Sequence, residues 1–182
     1  MNTLSEHCYP IVREWRERFK IDQPSHECHV AMWNEEDQEQ YDAATPEDVA
    51  DAIGDKVFVW CGCMINTGRP IRPTYTEEWF WSYAQHTAST VGADLRRVVE
   101  MVAESNNSKL VTRAEIYPTR DKYAALGVEC GFYDARDIGF YVPYVVHDCY
   151  GTDKKFYPAG KILKGVGFFE PKWTEDRSWI VG

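Results

Sequence analysis

Between an aromatic-rich segment and an amphipathic one the chain reads Ala88-Ser89-Thr90-Val91-Gly92-Ala93. Small residues let a backbone approach a ligand closely, and a helix N-terminus offers unpaired N–H groups and a positive dipole end. Together they can hold a phosphate or pyrophosphate. The same stretch also fits a plain helix start, with Ser89 or Thr90 as an N-cap worth about 1 kcal/mol. Proton-transfer groups lie beside it. His86 is of the residue type most used as a general base, and it fits a surface histidine equally well. Glu77 and Glu78 are neighbours on an expected strand, so they face opposite sides and only one can reach a central cleft. Glu78 is the candidate base, acting through a water, with a solvated edge group as the alternative.

Soft metal ligands also occur. His26, Cys28 and His29 lie in one segment, Cys61 and Cys63 in another. Strand alternation would put His26 with Cys28 on one face and Cys61 with Cys63 on one face, so paired strands could bring four ligands together. Neither spacing is that of a zinc knuckle, and buried cysteine in a strand is routine, so no metal site is assigned. "HDC" at 147–149 is not read as a nucleophile with its base, since adjacent residues on an extended chain point apart, and Asp134, Asp137, Asp148 and Asp153 lack calcium-loop spacing.

The elements that must position these groups follow from periodicity. Ile11, Trp15 and Phe19 form an i, i+4, i+8 stripe over 5–20, with Pro10 in the first turn or marking a later start. "ECHVAMW" is expected as a strand. "TPEDVADAIG" is a short helix capped by Thr45, with Pro46 at its first position, Asp48 near the capping-box position and Gly54 as its stop. Strands are expected at 56–66 and 74–85. Leu95, Val98, Val99 and Val102 share one face of a helix from Gly92 to about Ser105. A strand at 109–117, a short helix at 119–127, strands in "VECGFY" and "IGFYVPYVV", and a less regular end with a last strand at "RSWIVG" complete the order. No repeat or linker marks a boundary, so one domain over 1–182 is expected, with about 147–182 as its extension. The expected class is α/β: a sheet covered by helices on both faces.

This order, with the aromatic pair "FVWCGCMIN" and "EEWFWSYAQ", the run "STVGADLRRVVEMVAESNNSKLVTRAEIY" and the segment "TRDKYAALGVECGF", resembles the GCN5-related N-acetyltransferase family, in particular its divergent phage-encoded members. The resemblance covers roughly residues 5–146. It implies a central mixed, mostly antiparallel sheet with helices on both faces, acetyl-CoA as cofactor, transfer of an acetyl group to a small-molecule or peptide amine, and pyrophosphate binding by Ser89, Thr90, Val91, Gly92 and Ala93. It places Tyr123 as the acid that protonates the leaving thiolate, with a core aromatic of a short helix as the other reading. The family loop begins with Gln or Arg and has a glycine where Val91 or Thr90 stands here, depending on register. That departure favours a second expectation, a non-catalytic relic of the fold acting as a binding or virion-associated protein. An acidic mimic of nucleic acid is a third.

Composition narrows the partners. Twenty Lys and Arg stand against 29 Asp and Glu, a net charge of −9 that disfavours nucleic acid and suits a cationic substrate. No apolar run approaches the roughly 20 residues that span a bilayer. The first residues carry no basic segment followed by an apolar core. The expectation is a soluble cytoplasmic protein, in a host cytoplasm or virion if phage-encoded, whose six cysteines stay reduced.

Overall fold

Thr45 accepts a hydrogen bond from the Asp48 amide at 3.1 Å while the Asp48 carboxylate accepts one from the Thr45 amide at 2.9 Å. With Pro46 at the first helical position, this capping box starts a helix as expected. The helix does not stop at Gly54. In the computed structural model, which describes residues 4–21 and 24–181, it continues as α3 from Pro46 to Thr67 and ends at Gly68, whose φ of 62° is left-handed. Gly54 is instead where another helix comes close: a Cβ there would lie 2.6 Å from Val102 Cγ2. The strand expected at 56–66 is therefore the second half of α3. From Ala52 to Cys63 every residue but the half-buried Asp55 is buried, so this stretch of the helix has no solvent-facing side.

Four more helices surround α3: α1 (Leu4–Arg18), α2 (His26–Asp42), α4 (Glu77–Thr90) and α5 (Leu95–Asn107). Two of them correct expected strands. Ser25 caps α2 through the Cys28 amide, and His29 and Trp33 turn inward four residues apart. Thr76 caps α4 through the Trp79 amide, and Phe80, Ala84 and Ala88 form its buried stripe. Pro10 lies inside α1 rather than in its first turn. In α5 the expected face holds, with Leu95, Val98, Val99 and Val102 buried. Trp33, Trp60 and Phe80 meet at the centre, Trp60 and Phe80 stacked at 4.3 Å.

The chain divides into two compact units. The first holds residues 1–16, 21–104 and 171–182, and is the helical assembly around α3. Its last segment is pinned by Arg97, which reaches Asp176 at 2.7 Å and Ser178 at 2.8 Å, and by the bridge Ala93↔Ile180. Among the described residues, only that isolated bridge forms where a final strand was expected at "RSWIVG".

The second unit holds 17–20 and 105–170. Its three-stranded antiparallel sheet has the order β1 (Val111–Thr112), β3 (Phe140–Val145), β2 (Cys130–Asp134), with Cys130 opposite Val145 and Val111 opposite Tyr141. A small hairpin pairs β4 (Cys149–Tyr150) with β5 (Phe156–Tyr157). The strand expected at 109–117 ends after two residues, giving way to a 3-10 turn and α6 (Ile116–Ala124). Tyr123, Val128, Cys130, Val145 and Leu163 form this unit's core.

The class is thus mixed α/β, with 53% helix and 11% strand among small antiparallel sheets, so helices rather than a central sheet dominate. Among the described residues no helix is long and apolar enough to cross a membrane.

Candidate metal centre

The antiparallel pair α2 and α3 is joined by three residues, Ala43 to Thr45. Residues three or four apart share a helix face. Glu36 and Glu39 therefore project together from α2, and Asp51 and Asp55 from α3. One oxygen each from Glu36, Glu39 and Asp55 lie within 4.8 Å of one another. Glu36 and Asp55 are half-buried and Glu39 is exposed. Glu39 and Asp51 continue into an open cleft of about 350 Å³, also lined by Asp42, Ala43, Asp48 and Ala52.

The electrostatics of this cluster depart from those of a solvated acidic surface. Burial pushes the Glu36 carboxyl up to about 9, and the charges of Asp55, Glu39, Glu35 and Asp51 add to the effect. Glu36 Oε2 is buried and has no hydrogen-bond partner. Such an acceptor costs about 1–3 kcal/mol unless a donor or cation meets it. At neutral pH the folded site holds a proton on Glu36 that a cation can displace.

Further along the same faces, two helical turns from Glu36 and Asp55, lie His29 and Gly62. His29 is 1% exposed and meets the Asn66 side chain at 3.0 Å, while Nδ1 is buried without a partner. Burial lowers its pKa to about 4, with Arg16 contributing. Gly62 leaves room for this pair, since a Cβ there would lie 3.3 Å from His29 Cε1 and 3.4 Å from Arg16 Nη1.

The residues singled out from the sequence lie elsewhere. Ser89 and Thr90 belong to the last turn of α4 and donate to the carbonyls of His86 and Thr87, both at 2.7 Å. Neither caps α5; Asp94 does, accepting from the Arg96 and Val98 amides. The amides of Val91, Gly92 and Ala93 bond back into α4, and that of Asp94 donates to the Trp179 carbonyl at 2.6 Å. The Val91, Gly92, Ala93 and Asp94 amides are therefore engaged within the protein. Gly92, with φ 68°, serves to end α4. Glu78 and His86 are exposed on α4, eight residues apart. Tyr123 is in the second unit, 6% exposed, its hydroxyl donating to the Lys164 carbonyl and accepting from the Lys164 amide. Burial raises its pKa.

The soft ligands do not share faces either, because residues two apart on a helix point apart. His26 meets the Pro70 carbonyl, Cys28 is exposed, Cys61 is buried and Cys63 donates to the Arg69 carbonyl. All six cysteines are free thiols.

Sequence reasoning passed over Glu36, Glu39, Asp51 and Asp55. Their signal was the spacing Glu-x-x-Glu and Asp-x-x-x-Asp, which becomes a shared face only when both segments are helices. Comparisons with family models, with curated proteins and with solved structures found no match to this chain.

Proposed function

We propose that the first unit belongs to the class of helical proteins that hold a divalent cation between carboxylates of facing helices. More particularly, we read it as a Mg²⁺- or Mn²⁺-dependent phosphohydrolase acting on a phosphoanhydride such as a nucleoside triphosphate. The observation that carries this reading is the convergence of the Glu36, Glu39 and Asp55 oxygens around an orphaned buried oxygen of Glu36. An all-oxygen set of carboxylates fits a hard cation and not zinc or copper. When bound, the cation supplies Lewis acidity toward a phosphoryl oxygen and lowers the pKa of a coordinated water.

The chain's own residues do the rest. Glu36, Glu39 and Asp55 would hold the cation, with Asp51 beside them. The cleft bordered by Asp42, Asp48 and Asp51 repels a bare polyphosphate, so it admits one only as its metal complex. A carboxylate of the rim takes the proton of the attacking water as the new P–O bond forms and the anhydride P–O bond breaks, the leaving phosphate departing with the electron pair.

The segments 56–66 and 74–85, expected as strands, are helices, so we do not propose acyl transfer. Incubation with a panel of nucleoside triphosphates and Mg²⁺, followed by assay of released phosphate and pyrophosphate, tests the reading. Release is expected, and its loss in Glu36→Gln and Asp55→Asn. Heat on titration with acetyl-CoA, and none with Mn²⁺, would reverse the choice.

A further inference from the structure

Each carboxylate of the cluster is followed in sequence by a residue of a second cluster: Glu36 by Asp37, Glu39 by Gln40 and Asp55 by Lys56. Successive helical residues are turned by about 100°, so the second set flanks the other side of the same seam between α2 and α3. Its centre is the Lys56 ammonium, on a side chain 3% exposed. It donates to Asp37 Oδ1 at 2.5 Å, Gln40 Oε1 at 2.5 Å and Tyr83 Oη at 3.0 Å. Three donors meet three acceptors, and the charge lies 5.0 Å from the centre of the Trp33 ring and 5.3 Å from that of Tyr83. Tyr83 also donates to Gln40.

The knot is braced from α4 and the segment that leads into it. Arg72 lies 3.6 Å from Asp37 Oδ2 and over the Tyr75 ring. Tyr75 stacks on Trp79 at 4.0 Å, and Trp79 on Tyr83 at 5.3 Å. A ladder of rings thus connects two cations that share one carboxylate. A buried ammonium so fully engaged has little freedom, and it ties α2 to α3 at the level of the carboxylates.

We propose that Lys56 is a positioning residue for the carboxylate site: by tying Asp37 and Gln40 to α3 it fixes the separation of Glu36 and Glu39 from Asp55, and so selects a small divalent cation over Ca²⁺. This rests on the metal reading above. Mg²⁺ and Mn²⁺ favour short bonds in near-octahedral geometry, whereas Ca²⁺ accepts longer bonds and looser shells. A rigid seam therefore discriminates, and a loosened one does not.

The test is calorimetric titration with MnCl₂ and with CaCl₂ alone, on wild type, Lys56→Met and the charge-balanced pair Lys56→Met with Asp37→Asn. Wild type is expected to prefer Mn²⁺. In the variants Mn²⁺ affinity should fall about tenfold, the lower end for loss of a group that orients metal ligands, with Ca²⁺ affinity changing less. Helicity by circular dichroism separates this from unfolding, and the double variant answers for the single one if that fails to fold. An unchanged Mn²⁺-to-Ca²⁺ ratio in a folded variant overturns the role of Lys56 alone. Absence of Mn²⁺ binding by wild type overturns the metal reading and this inference with it.

Discussion

Replacing Glu36 by Gln should stabilise the metal-free protein and destabilise the metal-loaded one. The Glu36 carboxyl keeps its proton to about pH 9, against an ordinary 4.5. Between those values the unfolded chain releases a proton that the folded chain retains, so stability falls as pH rises. The slope is at most about 1.4 kcal/mol per pH unit. From pH 5 to pH 8 the ceiling is about 4 kcal/mol, and screening at a half-buried site brings it to roughly 2. Gln has no proton to lose and removes this dependence. In a chain of this size 1 kcal/mol moves Tm by about 2–4 °C, so metal-free Glu36→Gln should melt roughly 4–8 °C above wild type at pH 8. Divalent cation reverses the order. At a hundred times Kd, Mn²⁺ adds about 2.7 kcal/mol to wild type and much less to the variant. Thermal melts with chelator and with excess Mn²⁺ read both signs. Equal Mn²⁺ shifts in the two proteins would show that Glu36 does not bind the cation, and a metal-free variant less stable than wild type at pH 8 would show that it carries no buried proton.

Other outcomes follow from the same structure. His29 is buried and neutral, with its pKa depressed to about 4, so stability should fall as pH drops from about 6.5 to 4; urea midpoints of His29→Gln should lack that acid limb. Gly54→Ala puts a methyl 2.6 Å from Val102 and should cost about 1–3 kcal/mol by urea unfolding. Thr45→Ala removes the cap of α3 and should cost about 1 kcal/mol in the same assay. Arg97→Ala releases Asp176 and Ser178, so limited trypsin digestion should cut after Lys172 or Arg177 faster than in wild type.

The helix start at Thr45, the buried face of α5 and the strands near Cys130 and Phe140 were legible because each rests on local signals. The course of α3 was not. Gly54 looks like a stop in sequence, but its role is to admit Val102, a contact made by a distant helix. Beyond it, residues 57–61 are apolar on every side, and such a run does not distinguish a buried helix from a strand. In α4 the aromatic richness suggested a strand, and the outcome was set by Thr76 at the cap and by Phe80, Ala84 and Ala88 at helical spacing. The candidate site went unread for the same reason. Glu36, Glu39, Asp51 and Asp55 belong to one group only after α2 and α3 fold back on each other; Glu36 and Glu39 lie beyond the strand expected at "ECHVAMW", and Asp55 lies beyond the helix stop expected at Gly54.

The most direct measurement is Mn²⁺ electron paramagnetic resonance. Adding wild-type protein should diminish the sharp signal of free Mn²⁺ to a saturable end point, excess Mg²⁺ should restore it, and Asp55→Asn should leave it nearly unchanged. A free-Mn²⁺ signal that wild type does not alter would contradict the metal centre on which the account depends.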